Sequence, residues 1–112
     1  QKLSNVLALL ADARHPEEYA NEVEGKVDVV YEDVSDPQQV EILRRNCEAF
    51  LKKDGVAMLA LKAKSISSSK PTQQVYKEAI AELKEKGFEI LEDIDISKFE
   101  QDHLFLVMKL KG

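Results

Sequence analysis

The sequence predicts an α/β fold, with a mostly parallel sheet, an antiparallel last strand and helices on both faces of the sheet. Apolar segments alternate along the chain with amphipathic ones, a pattern typical of parallel strands joined by crossover helices. Several apolar segments are continuous, as expected for strands covered on both faces. The last two predicted strands follow each other without a helix between them, so we expect the final strand to be antiparallel.

The first two strands are predicted at Val6–Ala11 and Val27–Tyr31. The first is a short apolar run, and the second is rich in the β-branched and aromatic residues that favour strands. Between them, Pro16 is placed to open a short helix, and Gly25 ends that segment.

A longer helix is predicted to start at Asp36, because Asp36 is a good cap and Pro37 suits the first helical position. Gln39 stands where a capping box places Glu or Gln. We expect this helix to continue through Lys52 and Lys53 and to stop at Asp54-Gly55. Its apolar face is formed by Val40, Leu43, Cys47, Phe50 and Leu51.

The C-terminal half is predicted to hold three strands and one helix. The strand Val56–Leu61 is followed by a polar, serine-rich loop at Ser65–Ser69. Pro71–Lys86 has apolar residues at helical spacing, which predicts a second amphipathic helix. Phe88–Ile96 and His103–Leu110 are the last two predicted strands.

Composition limits the possible classes of protein. The chain has 112 residues, which fits one small domain, and a net charge of −5, which argues against unaided electrostatic binding to nucleic acid. A single cysteine forms no internal disulfide and fits a reducing, intracellular setting. Because the first residue is Gln, we expect a fragment or a processed chain, and no signal peptide or membrane span is predicted.

Polar residues follow the predicted strands at the edge where α/β proteins bind ligands. Asp12 follows the first strand, Glu32 and Asp33 follow the second, and Lys62 follows the third. His103 begins the last strand, which reaches the same edge if it is antiparallel. The sequence therefore predicts that acids, a lysine and a histidine converge there. No CxxC, HExxH, GxSxG, Walker A or GxGxxG motif occurs, which disfavours a dedicated zinc site and an NAD-binding Rossmann protein.

Each of these residues also has a purely structural interpretation. Lys62 is a surface lysine in that interpretation, with its stem along the sheet and its charge in water. Asp33 then accepts hydrogen bonds from loop amides, and His103 is an exposed turn residue. Asp12 and Asp36 are helix caps.

Several segments together resemble the fibrillarin methyltransferases. They are Asp12–Pro16, the run from Val27 to Leu51, Leu61-Lys62-Ala63 and Asp102-His103. The run VDVVYEDVSDPQQVEILRRNCEAFL is especially similar to archaeal fibrillarin-like proteins. The similarity extends over nearly all of the chain, with the motifs in order, and corresponds to the C-terminal part of the catalytic domain.

The resemblance implies a partial Rossmann-like methyltransferase sheet in a single truncated domain, and an S-adenosylmethionine-dependent RNA 2′-O-methyltransferase. It places Asp12 and Ala13 against the adenine of the cofactor. Asp33, Lys62 and His103 match three members of a K-D-K-H catalytic set, whose first lysine lies upstream. It also places Asp33 and Asp36 near the cofactor.

The resemblance implies partners as well. The family modifies ribosomal RNA, and in archaea also transfer RNA, guided by box C/D RNA on a Nop-type scaffold protein. Delivery of the substrate by such a particle would explain how an acidic chain handles RNA. The resemblance implies a cytoplasmic location in an archaeon and a nucleolar one in a eukaryote.

The sequence departs from the family pattern at the cofactor side. The family's glycine-rich loop and its first two methyltransferase strands have no counterpart in the sequence, so the strands at Val6–Ala11 and Val27–Tyr31 must pair directly, leave a gap, or recruit the missing half. Ala11 replaces a Gly, Ser35-Asp36 replaces Ala-Gln, and Lys64–Ser67 replaces Arg-Ser-Ile-Asp. The alternative hypothesis is therefore an inactive or engineered half-domain that self-associates through exposed sheet edges.

Two roles stay open for Lys62 in such a reaction. It can accept the proton of the ribose hydroxyl, or it can stabilise the developing oxyanion while charged. A nearby Asp33 favours the charged form and so the second role.

Overall fold

The computed structural model of the chain describes residues 6–9, 26–96 and 102–111. Its elements, in chain order, are β1 (Val6–Leu9), β2 (Val27–Glu32), α1 (Gln39–Phe50), β3 (Leu51–Lys62), α2 (Ala63–Ile66), α3 (Thr72–Glu85), β4 (Phe88–Asp95) and β5 (His103–Leu110). All five predicted strands and both long helices are present. The short helix predicted after Pro16 lies outside the described residues.

The strands form one mixed sheet in the order β1-β2-β3-β5-β4. β1, β2 and β3 are parallel to one another, whereas β5 is antiparallel to both of its neighbours, which confirms the predicted antiparallel last strand. β1 pairs directly with β2, with Val6 opposite Val29. This direct pairing is the first of the three alternatives that the sequence leaves open.

The two long helices pack on the same face of the sheet and share one hydrophobic core with it. Burial alternates along β5, where Leu104, Leu106 and Met108 are buried and the residues between them are half-buried. On α3, Val75 and Leu83 are fully buried, as the helical spacing predicts. The sequence also predicts helices on the second face of the sheet. The described residues do not test this, and it stays a prediction.

The boundary between α1 and β3 differs from the prediction. The helix ends at Phe50, three residues before Lys53, and Leu51 is already extended, with φ −81° and ψ 132°. Leu51 is buried and lies opposite Val27 in β2, while Lys52 forms an ion pair with Asp28 at 3.1 Å. Pairing with β2 thus outweighs the favourable placement of two lysines at a helix C-terminus.

Two smaller features complete the fold. The four-residue helix α2 includes Ser65 and Ile66, the first two residues of the segment that the sequence predicts as a loop, and residues 67–69 form neither helix nor strand, as predicted. In the part of the chain that the structure describes, no helix is long and apolar enough to cross a membrane.

Candidate active site

Asp33, Lys62 and His103 meet at the carboxyl edge of the parallel strands. Lys62 is the last residue of β3, and it lies directly opposite His103, the first residue of β5. The Lys62 Nζ forms an ion pair with Oδ1 of Asp33, the residue that directly follows β2. The side chain of Lys62 is 18% exposed and that of Asp33 is 39% exposed. The ammonium is therefore shielded and paired, unlike that of a free surface lysine.

The start of β5 is fixed by contacts of Asp102 on both its backbone and its side chain. The Asp102 carbonyl accepts a hydrogen bond from the Ala63 N–H at 3.0 Å. The Thr72 hydroxyl donates a hydrogen bond to Asp102 Oδ1 at 2.6 Å. The backbone of Asp102 has a φ of 62°, a positive value that non-glycine residues rarely adopt. These contacts hold His103 at the end of β3. His103 is half-buried in a strand, not exposed in a turn.

The Tyr31 side chain lies next to that of Asp33. The two residues are two positions apart at the end of β2, so their side chains point to the same side of the sheet. Its hydroxyl lies 3.5 Å from Asp33 Oδ2, at the limit of a hydrogen bond, and its ring is tilted against Phe105 with the centroids 6.4 Å apart. Burial raises the pKa of Tyr31, and the negative charge of Asp33 raises it further. The phenol therefore stays protonated and able to donate to the carboxylate.

Glu32 points away from this cluster, into the core beneath α1. It is 0% exposed, and neither carboxyl oxygen has a hydrogen-bond partner among the described residues. Burial raises the pKa of Glu32 to about 9; the Lys62 charge opposes the shift and the Asp36 charge adds to it. A pKa of about 9 keeps Glu32 protonated near pH 7, and it is Asp33 that forms the ion pair with Lys62.

Gln39 is a buried residue of the site whose role the sequence interpretation missed. Its Oε1 accepts a hydrogen bond from the Lys62 N–H at 2.9 Å, and its Nε2 donates to the Asp36 carbonyl at 2.8 Å. The sequence predicts only a capping function, because a Gln at that spacing is fully explained by a capping box. No sequence signal indicates that the side chain reaches β3.

Asp36 organises the turn that leads into α1. Its Oδ1 accepts a hydrogen bond from the Gln38 N–H at 2.8 Å, and α1 begins at Gln39, two residues later than Pro37. The N-cap of α1 is Gln38, without a side-chain capping hydrogen bond, so the prediction that Asp36 caps this helix is wrong and its side chain closes a local turn instead. The two other residues predicted to contact the cofactor, Asp12 and Ala13, lie outside the described residues.

A cavity of about 880 Å³ lies at the opposite edge of the sheet. It is lined by the start of β3 and the end of β5, including Leu51, Lys53 and Lys109. β3 is irregular between Leu51 and Val56, where five steps along it match two steps along β2, so its two ends are roughly 25 Å apart. None of the residues predicted to act in catalysis lines this cavity, and it is separate from the candidate site. Among the described residues, no cluster of His, Cys, Asp and Glu is suited to hold a metal ion.

A comparison with protein families decides the affiliation of the chain. The family model described as Fibrillarin matches residues 1–112, the whole sequence. The chain belongs to the fibrillarin family. The resemblance noted from the sequence is thereby confirmed.

Relatives within the fibrillarin family agree with this assignment. The fibrillarin-like rRNA/tRNA 2′-O-methyltransferase of Methanocaldococcus jannaschii is 48% identical over 103 residues, which cover 92% of this chain and 44% of that protein. The chain spans less than half the length of the curated relatives it matches.

Solved fibrillarin structures confirm the Rossmann-like methyltransferase fold. A fibrillarin/Nop5p complex matches with a TM-score of 0.82 and 33% identity, over 88% of this chain and 46% of that one. Aeropyrum pernix fibrillarin with natively bound S-adenosyl-L-methionine matches with a TM-score of 0.72 and 39% identity, over 87% of this chain and 42% of that one. In this fibrillarin-family chain, the cluster of Asp33, Lys62 and His103 lies at the ligand edge of the fold.

Proposed function

We propose that this chain carries the catalytic part of an S-adenosylmethionine-dependent RNA 2′-O-methyltransferase. The ion pair between Lys62 and Asp33, directly beside His103 at the carboxyl edge of the sheet, is the observation that carries the proposal. It is supported by the relative described as an rRNA/tRNA 2′-O-methyltransferase and by the related fibrillarin with bound S-adenosyl-L-methionine. In this proposal, Asp33, Lys62 and His103 are the catalytic residues.

The described residues fit a cationic cofactor. S-adenosylmethionine, when bound, supplies an electrophilic methyl group on a positively charged sulfur. Asp33 is 39% exposed at the edge of the sheet and Asp36 is half-buried in the turn after it, so two carboxylates stand against the one ammonium of Lys62, a balance that favours a further positive charge. We assign Asp33 and Asp36, together with Asp12 and Ala13, to the cofactor-binding side.

Lys62 is proposed to act on the ribose 2′-hydroxyl. In this reaction an O–CH3 bond would form as the bond between the methyl carbon and sulfur breaks, and the hydroxyl proton would leave to solvent while negative charge develops on the ribose oxygen. The Lys62 ammonium is held in an ion pair with Asp33 at the edge of the sheet, where a positive charge can stabilise the developing oxyanion. His103 adds an imidazole to the same patch, with a donor and an acceptor nitrogen when neutral.

The partners follow from the charge of the chain and from its relatives. With a net charge of −5, the chain has little electrostatic attraction for phosphates. A box C/D guide RNA on a Nop-type scaffold protein would bring substrate RNA to the site, and the solved fibrillarin/Nop5p complex of a relative supports such a partner. The proposed location is intracellular: cytoplasmic in an archaeon and nucleolar in a eukaryote.

The proposal is tested with the full-length protein that contains this sequence. It is incubated with isotopically labelled S-adenosylmethionine, the scaffold protein, a guide RNA and a matching target RNA, and the RNA is digested to nucleosides. We expect the labelled methyl group on the ribose 2′-oxygen of the guided nucleotide. Label on a base, or no transfer by the assembled particle, would contradict the proposed function.

A second candidate is a half-domain that folds and self-associates without binding the cofactor. The observation that favours it is the direct pairing of β1 with β2, which leaves no space for further strands between them. Val6 on the edge strand β1 is 57% exposed, so this edge can pair with another copy. Titration calorimetry of the 112-residue chain with S-adenosylmethionine distinguishes the two candidates: no binding heat at about millimolar ligand favours the half-domain.

A further inference from the structure

The side chain of Gln39 takes the place of a missing strand neighbour beside Lys62. The last register pair between β2 and β3 is Glu32 with Leu59, so the final residues of β3 extend past β2. Consecutive N–H groups of a strand point to opposite sides. The Ala63 N–H is bound to Asp102 on the β5 side, so the Lys62 N–H faces the side where β2 has ended.

Gln39 satisfies that exposed end of β3 with a side-chain amide. Its Oε1 accepts from the Lys62 N–H at 2.9 Å, and its Nε2 lies 3.4 Å from the Lys62 carbonyl oxygen. The same Nε2 donates to the Asp36 carbonyl at 2.8 Å, which ties the contact to the turn before α1. Gln39 is 0% exposed, so its amide exchanges no hydrogen bonds with bulk water. Both polar groups of the amide are therefore committed to this junction.

We infer that Gln39 is a positioning residue for methyl transfer, which holds the backbone of Lys62 so that its ammonium meets both Asp33 and the reacting hydroxyl. The inference rests on the proposed function. Lys62 is the end residue of β3, and without Gln39 only its β5 side would be fixed. A displacement of about 1 Å of a catalytic group costs on the order of 100-fold in rate. The sequence interpretation of Gln39 as a helix-capping residue does not include this role.

The direct test replaces the amide by an apolar side chain of similar length. In the full-length protein, we expect Gln39→Met to lower kcat by about 10- to 100-fold at saturating S-adenosylmethionine, while KM for the RNA stays unchanged. Asn46→Ala is the matched control, because Asn46 is also a fully buried amide of α1, donates to the Ile42 carbonyl at 2.9 Å, and lies about two helical turns after Gln39. A control that loses stability but keeps kcat separates positioning from folding.

A double-mutant cycle tests whether Gln39 acts through the ammonium. In the Lys62→Ala background the ammonium is absent, so we expect Gln39→Met to cause no further loss of the residual single-turnover rate. An equal loss in both backgrounds would contradict the inference. Wild-type kcat in Gln39→Met would also contradict it, whereas absence of transfer by the wild-type particle would contradict the proposed function itself.

A second variant keeps the inference testable if Gln39→Met does not fold. Gln39→Glu retains an acceptor for the Lys62 N–H, but its ionised form offers no donor to the Asp36 carbonyl. Protonation of the buried carboxyl restores that donor, so we expect kcat relative to wild type to rise as the pH is lowered from about 8 to about 6. A ratio of kcat values that stays constant over this range would contradict the inference.

Discussion

At the scale of single residues, the neighbouring acids Glu32 and Asp33 have different environments, one buried and one partly exposed. Successive side chains of a strand point to opposite faces, so Glu32 enters the core while Asp33 faces Lys62. The sequence places both acids at the ligand edge but gives no measure of the desolvation that separates them. Burial raises the pKa of Glu32 to about 9, whereas Asp33 is partly exposed and forms an ion pair with Lys62.

The neutral Glu32 predicts a stability that falls with rising pH. The pKa of Glu32 is raised from its ordinary value of 4.5 to about 9. Between these values the folded chain holds a proton that the unfolded chain has released, so a rise in pH favours unfolding by up to about 1.4 kcal/mol per pH unit. In Glu32→Gln this contribution is absent. We expect the free energy of unfolding of the variant to exceed that of the wild type by an amount that grows with pH.

Urea denaturation of both proteins at several values between about pH 5 and pH 8 measures this difference. Because all other titrating groups are shared, the difference isolates Glu32. Two stability curves that run parallel over the whole range would show that Glu32 is already ionised in the folded chain.

Thr72 supplies a second prediction at this scale. Its hydroxyl donates to Asp102 Oδ1 at 2.6 Å, next to His103. We expect Thr72→Val, which conserves shape and removes the hydroxyl, to destabilise the chain by about 1–3 kcal/mol, since the bond to a carboxylate is lost. Chemical denaturation measures the loss, with Thr72→Ser, which retains the hydroxyl, as the control. Equal losses in the two variants would show that the hydrogen bond does not contribute.

At the scale of elements, the junction of α1 and β3 is where the sequence was least informative. The apolar spacing of Val40, Leu43 and Cys47 correctly predicts the helix. It does not show where the helix ends, because Leu51 fits the apolar face of the helix and a buried strand equally well. Pairing with Val27, a contact between residues distant in sequence, decides for the strand.

Gly55 is the residue that permits this junction. A Cβ at this position would lie 2.9 Å from the Asp28 carbonyl oxygen and 2.6 Å from the Leu51 Cδ1. The leucine can rotate, but the backbone oxygen of β2 cannot move without breaking the pairing. We therefore expect Gly55→Ala to destabilise the chain by about 1–3 kcal/mol, measured by thermal or urea unfolding. Unchanged stability would show that β2 and β3 are less closely packed at this point.

At the scale of the whole molecule, strand order creates the candidate site. β5 lies between β3 and β4, which places the first residue of β5 beside the last residue of β3. The alternation of strands and helices predicts the fold class and the convergence of Asp33, Lys62 and His103. The contact of Gln39 with Lys62 was not predictable, since it joins residues 23 positions apart through a side chain whose local pattern already has an explanation.

The overall charge predicts weak binding of RNA by the chain alone. A net charge of −5 repels phosphates, so we expect a dissociation constant no tighter than about 10⁻⁴ M for non-target RNA at physiological salt. Fluorescence anisotropy with a labelled RNA measures it. Micromolar binding without a scaffold protein would show that a local surface overcomes the overall charge.

Lys62 is proposed to stabilise the reacting ribose oxygen during methyl transfer at the edge of the sheet, and a single substitution of this residue tests that role most directly. In the full-length protein assembled with guide and target RNA, Lys62→Ala is compared with Lys64→Ala, an exposed lysine two residues further on in α2. We predict that Lys62→Ala lowers the single-turnover rate of 2′-O-methylation by at least about 100-fold, with unchanged affinity for S-adenosylmethionine, and that Lys64→Ala methylates at the wild-type rate. A Lys62→Ala protein that transfers methyl groups at the wild-type rate would contradict the assignment.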